Sequence, residues 1–225
     1  MIQLSLGEIA KAIDGRLVSP DAQALDDVLV TGSVETDSRL ISKGSLFFAR
    51  PGEVTDGHLF VESARELGAV AAVVDHTVDS AIAQIVVEDV TLALGKLAKY
   101  VLARIREASD LKVIGITGSN GKTTTKEMIA AILKAAFGDA VLATRGNLNN
   151  DIGLPLTLLG LEARHRAAVI EMGMNHPGEI DYLTRIGKPT VALVNNAQRA
   201  HLEGMGDLDE VAREKGSIFN GLSDA

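Results

Sequence analysis

The sequence predicts an α/β protein in which a small mixed α/β N-terminal domain precedes a P-loop domain built on a mostly parallel sheet. In the second half, continuous apolar runs of strand length alternate with helical stretches, which is typical of a parallel sheet covered on both faces. A glycine-rich turn over 118–121 joins one such strand to a helix. The 225 residues, 46% of them hydrophobic, are enough for two modest domains.

Composition excludes several classes of protein. The chain has 22 Lys and Arg against 30 Asp and Glu, a net charge of −8, and 3% aromatic residues, which argues against a nucleic-acid-binding surface. It has no cysteine, which excludes disulfide scaffolds, cysteine-ligated zinc and thiol catalysis. Because it shows no signal peptide and no apolar run of about 20 residues, we expect a cytoplasmic protein without a membrane span.

The N-terminal domain is assigned to residues 1–83, with no proline- or serine-rich linker to mark its end. Ser5 and Glu8 have the spacing of a capping box, which predicts a short helix that ends near Gly15. The other elements expected in this part of the chain are strands over 46–49, 69–74 and 85–87 and a helix over 58–67.

The second domain is assigned to residues 84–225 and is expected to contain about four strands, fewer than nucleotide-binding sheets often have. It is therefore predicted to be incomplete, in a truncated chain. Five apolar side chains of one helix share a face, which predicts their burial: Met128, Ile129, Ile132, Leu133 and Ala136. The predicted helices cover 91–108, 123–136 and 207–222, and the strands 112–117, 140–144, 167–171 and 190–194.

The strongest motif is the strand–turn–helix segment over 113–125. Backbone N–H groups and the dipole at a helix start bind phosphate, Lys122 would add a charge for the β- and γ-phosphates, and the Thr123 hydroxyl can ligate Mg²⁺. The usual P-loop has a glycine five residues before Gly121, where this chain has Ile116. The alternative is a strand-to-helix turn with an incidental lysine.

Two further side chains are expected near the same edge of the sheet. Glu171 ends a predicted strand, so its carboxylate would lie beside the phosphate loop, where a hard cation such as Mg²⁺ prefers oxygen ligands. His201 follows the last predicted strand. The alternatives are a solvent-facing glutamate at a strand end and an ordinary surface or hydrogen-bonded histidine.

Lys215 stands in the apolar series of the last helix, where the spacing predicts an inward side chain. A buried lysine is costly unless its stem snorkels to water or its charge changes, and snorkelling is the alternative. Three polar segments are weaker candidates, since each by itself also fits a loop, a cap or a solvated turn: Asn147, Asn149 and Asn150; Asp56 and His58; Ser38 and Arg39.

Together these segments resemble the Mur ligase family, and most specifically its members that add D-alanyl-D-alanine. The resemblance runs from end to end of the chain, and the family's shorter Thr-Gly-x-x-Gly-Lys-Thr loop accounts for Ile116. The matching segments, in order, are 36–39, 44–49, 56–58, 117–125, 146–159, 171–180 and 195–206.

The resemblance implies an ATP-dependent amide ligase of peptidoglycan synthesis. The terminal carboxylate of UDP-N-acetylmuramoyl-tripeptide would take the γ-phosphoryl group of ATP, giving an acyl phosphate. The amine of D-alanyl-D-alanine would then attack, and phosphate would leave. ATP is needed because a carboxylate becomes a good electrophile only when one oxygen is made a leaving group.

The resemblance also implies roles for the candidate residues. Lys122, Glu171, His201 and Lys215 would be catalytic. One Mg²⁺ would be held by Thr123 and Glu171 and a second with the help of His201, and Lys215 is similar to a family lysine that CO₂ carbamylates. ATP would be held by Thr117, Gly118, Ser119, Asn120, Gly121, Lys122, Thr123 and Thr124. Ser38, Arg39, Asp56 and His58 would face the UDP part of the substrate, and Asn147, Asn149 and Asn150 its sugar–peptide part.

The family's C-terminal ligase domain has no counterpart here, so the chain is expected to be inactive by itself. We also expect a monomer. The alternatives are a sister Mur ligase that adds another amino acid, a folylpolyglutamate-type ligase, and a P-loop module that only binds nucleotide. The Asn-Leu-Asn-Asn segment at 147–150 and Ala-His-Leu-Glu-Gly at 200–204 favour the D-alanyl-D-alanine-adding members.

Overall fold

The computed structural model describes residues 1–19, 25–52, 55–198 and 207–222, and the chain divides into two compact units, Met1–Tyr100 and Val101–Ala225. The expected boundary between residues 83 and 84 falls inside a strand that pairs with the rest of the N-terminal sheet. No helix within the described ranges is both long enough and apolar enough to cross a membrane.

The first unit contains a five-stranded mixed sheet and a separate antiparallel pair of strands. Its strands are β1 (Leu4–Ser5), β2 (Arg16–Val18), β3 (Leu29–Val30), β4 (Val34–Glu35), β5 (Leu46–Phe48), β6 (Ala71–Val74) and β7 (Ala83–Val86). The order in the larger sheet is β2-β7-β6-β5-β4, parallel except for β2, and β1 pairs with β3. Strands β5 and β6 are buried throughout, as their continuous apolar sequences predict.

The first helix of this unit begins where the sequence supplies a cap. Helix α1 (Leu6–Ala12) has the predicted capping box: Ser5 Oγ accepts a hydrogen bond from Glu8 N (3.2 Å), and Glu8 Oε2 accepts one from Ser5 N (2.9 Å). The helix predicted over 58–67 forms in two parts, a 3-10 turn at Gly57–Phe60 and then α2 (Val61–Glu66).

The second unit has the predicted parallel sheet, in the order β11-β8-β10-β9. Glu171 at the end of β10 pairs with Ile116 of β8, so the carboxyl ends of these strands meet at one edge. From α3, which contains the division between the units, the elements are α3 (Val90–Ala108), β8 (Lys112–Thr117), α4 (Lys122–Phe137), β9 (Val141–Ala143), α5 (Gly153–Leu159), β10 (Ala167–Glu171), α6 (Glu179–Gly187), β11 (Val191–Val194) and α7 (Leu208–Gly216).

Helix α4 packs on the sheet with only part of the predicted face: Ile129 and Leu133 are half-buried against the apolar cluster of the sheet. Lys126 and Ala130 are buried, whereas Met128 and Ile132 are 62% and 69% exposed. The apolar spacing was misleading for Met128 and Ile132, because a lysine, Lys126, occupies an inward position one turn after Lys122. In α7 the prediction of an inward Lys215 is confirmed, since this residue is 1% exposed.

Candidate active site

The turn between β8 and α4 has the geometry that phosphate binding requires. Gly121, the residue before the helix, has φ of +74°, a left-handed conformation that favours glycine, and a Cβ there would lie 2.9 Å from Asn195 Nδ2. The first N–H groups of a helix have no partner within it, so they are free to bind an anion. Lys122 Nζ lies over this turn and donates a hydrogen bond to Gly118 O (2.9 Å).

The segment after β11 holds the turn from the other side. Asn195 Nδ2 and Asn196 Nδ2 both donate to Asn120 O (2.8 and 2.9 Å), and Asn120 N donates to Asn196 Oδ1 (3.0 Å). Ser119 Oγ donates to Gln198 O (2.9 Å). These asparagines were not among the predicted site residues, although their position directly after a parallel strand is a signal for this edge.

The remaining predicted nucleotide-binding threonines have different environments. Thr117 is buried, and its hydroxyl donates to Met172 O (2.9 Å), which ties β8 to the segment after β10. Thr124 is exposed in the first turn of α4. Thr117 therefore supports the loop from behind, while Thr124 is accessible to a ligand.

Glu171 is the centre of a polar cluster at the sheet edge. It is 2% exposed, which excludes the solvent-facing alternative. Its Oε2 accepts a hydrogen bond from Thr123 Oγ1 (3.0 Å), and its Oε1 accepts one from Asn149 Nδ2 (2.8 Å). The structure thus brings together three candidates that are far apart in the sequence. Their hydroxyl, carboxylate and amide oxygens are the hard donors that fit Mg²⁺.

The other asparagines of the 147–150 segment do not join this cluster. Asn150 Oδ1 accepts hydrogen bonds from Gly153 N (2.9 Å) and Ile152 N (3.3 Å), so it caps the start of α5. Asn147 is exposed. The expected substrate role of Asn150 stays a prediction beside this cap, and Asn149 faces the carboxylate of Glu171. His201 lies outside the described residues.

Lys215 is buried near the turn. The residue is 1% exposed, which excludes snorkelling. The pKa of Lys215 is lowered from 10.5 to about 8, chiefly by burial; the charge of Lys122 contributes to this lowering, and that of Glu214 opposes it. The influence of Lys122 indicates that the Lys215 amine lies on the side of the phosphate-binding turn.

The lowered pKa of Lys215 predicts a specific pH dependence of stability. Between about pH 8 and 10.5 the unfolded chain binds the proton more tightly than the folded protein, so the free energy of unfolding should rise with pH. Lys215→Met removes this dependence. Its stability advantage over the wild type should therefore be largest below about pH 8 and shrink as the pH rises.

Urea unfolding in CO₂-free buffer across this pH range measures the difference in the free energy of unfolding between Lys215→Met and the wild type. Lys134→Met, which removes an exposed lysine of α4, is the matched control and should show no such trend. A difference between Lys215→Met and wild type that stays constant with pH would contradict the burial of this amine.

The first unit contains a cavity of about 450 Å³ whose lining includes Ser38, Arg39, Arg50 and Phe60. Arg39 Nε and Nη2 donate to the carboxylate of Asp37 at 2.9 and 2.6 Å, which lowers the pKa of Asp37 to about 2. Two guanidinium groups and an aromatic ring are suited to the phosphates and base of a nucleotide. Arg50 was missed in the sequence because it follows β5 without any motif.

Two predicted substrate residues, Asp56 and His58, do not line this cavity. His58 is 7% exposed; its Nδ1 is 2.7 Å from Asp56 Oδ1, and its Nε2 is 3.3 Å from Asp75 Oδ1. Its ring stacks on His76 with centroids 4.2 Å apart. The expectation that His58 and Asp56 face the substrate stays a prediction. Their polar atoms are used to cap and anchor the turn before α2.

Comparison with known proteins gives matches for both units. Residues 31–101 match the model described as the Mur ligase family, catalytic domain, and residues 116–225 match that of the Mur ligase middle domain. Each half of the chain therefore matches a domain of the same family.

Several curated relatives carry the name UDP-N-acetylmuramoyl-tripeptide–D-alanyl-D-alanine ligase. That of Haemophilus influenzae is 45% identical over 226 residues, which is 99% of this chain and 47% of the relative. That of Escherichia coli (strain K12) is 43% identical over 222 residues, which is 99% of this chain and 46% of the relative. The chain thus spans about half the length of the curated relatives it matches.

Solved structures agree with these matches. A crystal structure of MurF from Acinetobacter baumannii has a TM-score of 0.89 and 40% identity, and the match covers 98% of this chain and 47% of that one. The MurF ligase from Thermotoga maritima in complex with ADP has a TM-score of 0.76 and 34% identity, and the match covers 86% of this chain and 44% of that one. The fold of this chain is the one found in these ligases.

Proposed function

We propose, since the chain belongs to the Mur ligase family, that it supplies the ATP-binding and UDP-substrate-binding parts of a ligase that joins D-alanyl-D-alanine to UDP-N-acetylmuramoyl-tripeptide. The observation that carries this proposal is the convergence of the phosphate-binding turn, Thr123 and Glu171 at one sheet edge. Two relatives named for this reaction, 45% and 43% identical, favour it over a sister ligase or a folylpolyglutamate-type ligase.

The reaction activates a carboxylate. An oxygen of the tripeptide's terminal carboxylate attacks the γ-phosphorus of ATP, the bond from that phosphorus to the ADP oxygen breaks, and an acyl phosphate forms. The amine of D-alanyl-D-alanine then attacks the acyl carbon, phosphate leaves with the C–O electron pair, and the amine loses a proton. Negative charge gathers where carboxylate and triphosphate meet, so the site must supply positive charge there.

The residues of the second unit supply this environment. The N-terminus of α4 and Lys122 bind the β- and γ-phosphates. Thr123 and Glu171 would hold one Mg²⁺, which when bound neutralises phosphate charge, and His201 would help to hold a second. Asn149 fixes one oxygen of Glu171, leaving its carboxylate in a single orientation.

Lys215 fits the proposal as a carbamylated side chain. A buried ammonium beside a metal site would repel the metal, whereas a carbamate supplies oxygen ligands and negative charge. Carbamate formation joins the neutral amine to CO₂ with loss of one proton. The lowered pKa of Lys215 makes that neutral form accessible near physiological pH.

The cavity of the first unit is the proposed site for the UDP part of the substrate. Arg39→Ala and Arg50→Ala should each weaken the binding of UDP-N-acetylmuramoyl-tripeptide about 10-fold or more, since each removes a charged donor to phosphate. Isothermal titration measures the Kd. Arg65→Ala, which removes an arginine of α2 that pairs with Glu62, is the control and should leave the Kd unchanged. Unchanged affinity in both cavity variants would place the UDP site elsewhere.

The ligase reaction is tested by fusing residues 1–225 to the part of the Haemophilus influenzae ligase that lies beyond the match. We expect phosphate release that requires both UDP-N-acetylmuramoyl-tripeptide and D-alanyl-D-alanine. The same fusion with Lys122→Ala is the control for background hydrolysis. Phosphate release that is unchanged when the dipeptide is left out would support a nucleotide-binding module. Phosphate release that requires a different amino acid would support a sister ligase.

A further inference from the structure

Lys126 is a buried cation that the proposed reaction does not use. It lies on α4 one turn after Lys122 and is 1% exposed. Its Nζ donates to Thr144 O (2.7 Å) and is 2.8 Å from Glu127 Oε1. Burial of an ammonium is costly unless it is paired, so these contacts are what make the position tolerable. Glu127 is exposed, whereas the Thr144 carbonyl is a fixed partner inside the protein.

Thr144, the residue after β9, uses all its polar groups in the same region. Its N donates to Val169 O (3.0 Å), its O accepts from Lys126, and its Oγ1 accepts from Glu171 N (3.0 Å). It is 2% exposed, so water does not replace these bonds freely. Thr144 therefore holds the backbone of Glu171 directly and is itself held by Lys126.

The same helix and the same loop also hold the carboxylate of Glu171. Thr123, on α4, donates to one carboxylate oxygen, and Asn149, five residues after Thr144, donates to the other. Lys126 joins these two supports, because it ties α4 to the start of the loop that carries Asn149. The position of Glu171 relative to Thr123 thus depends on the contact between Lys126 and Thr144.

We propose that Lys126 and Thr144 are positioning residues that fix Glu171 against Thr123 and thereby set the affinity of the ATP site for a divalent cation. This inference rests on the proposed function, since it takes the Thr123–Glu171 pair as the metal ligands. Neither residue touches substrate. Both act through Glu171, in the way that partners behind metal ligands orient those ligands elsewhere.

The test measures ATP binding to the chain by calorimetry as a function of Mg²⁺ concentration. Thr144→Val keeps the shape of the side chain but removes the acceptor for Glu171 N. The Mg²⁺ concentration that gives half of the maximal strengthening of ATP binding should therefore rise about 10-fold. ATP affinity without Mg²⁺ should stay unchanged, because the turn and Lys122 are intact. Thr144→Ser keeps the hydroxyl, so its ATP binding should depend on Mg²⁺ concentration as that of the wild type does.

Lys126→Met, similar in length but uncharged, should shift the Mg²⁺ response in the same direction. Lys134→Met on the exposed side of α4 is the matched control and should not shift it. If Lys126→Met does not fold, the Thr144→Val and Thr144→Ser pair decides the question.

A lowered melting temperature with an unchanged Mg²⁺ response in Thr144→Val would overturn the inference and leave both residues as packing groups only. Absence of any Mg²⁺ effect on ATP binding in the wild type would instead refute the proposed metal site, and the positioning role with it. The two failures are therefore distinguished by the wild-type titration alone.

Discussion

Replacement of Lys215 by alanine is expected to reduce ligation by the fusion about 10²–10³-fold, because it removes the carbamate that would face the metal. Added short carboxylic acids should restore part of the rate by supplying oxygen ligands in the space left by the side chain. The Lys215→Arg variant should be as inactive as Lys215→Ala, since a guanidinium keeps the positive charge and forms no such carbamate. Dipeptide-dependent phosphate release measures all of these.

The arginine variant gives the sharpest outcome for Lys215. Activity of Lys215→Arg equal to that of the wild type would contradict the carbamate and leave Lys215 as a buried cation. Lys134→Ala, which removes an exposed lysine of α4, is the control and should leave the ligation rate unchanged.

Lys122→Ala is expected to weaken ATP binding about 10²-fold, because a charged hydrogen bond to phosphate contributes about 1.5–3 kcal/mol. The fold should survive, since the hydrogen bond that Lys122 Nζ donates goes to Gly118 O, on the turn itself. Calorimetry gives the Kd, and thermal unfolding checks the fold. Equal affinity in the folded variant would remove this turn from the mechanism.

The parts of the site that lie on single strands and turns were predictable from the sequence. Gly121 and Lys122 follow an apolar strand and open a helix, and Glu171 ends another strand of a parallel sheet, so the edge they share follows from the fold class. Lys215 was predicted to point inward from its place in the helical repeat, and it is buried.

The parts that depend on contacts between distant segments were not predictable. Lys126 is buried because Thr144 O lies where its amine ends, and nothing in the spacing of α4 indicates this partner. Asp56 and Asp75 hold the ring of His58, and the contact with Asp75 is not indicated by the motif. Arg50 reaches the cavity from a position with no motif of its own. Tertiary partners, which periodicity does not encode, decide each of these.

Whether Thr123 and Glu171 hold a metal beside ATP is decided by titrating the chain with ATP, with and without Mg²⁺, in the wild type and in Glu171→Gln. Glutamine keeps the shape of the side chain but removes the charge that a hard cation needs. We predict that Mg²⁺ strengthens ATP binding in the wild type and that this strengthening is lost in Glu171→Gln, while Mg²⁺-free affinity is unchanged. An equal Mg²⁺ effect in both proteins would show that Glu171 is not a metal ligand.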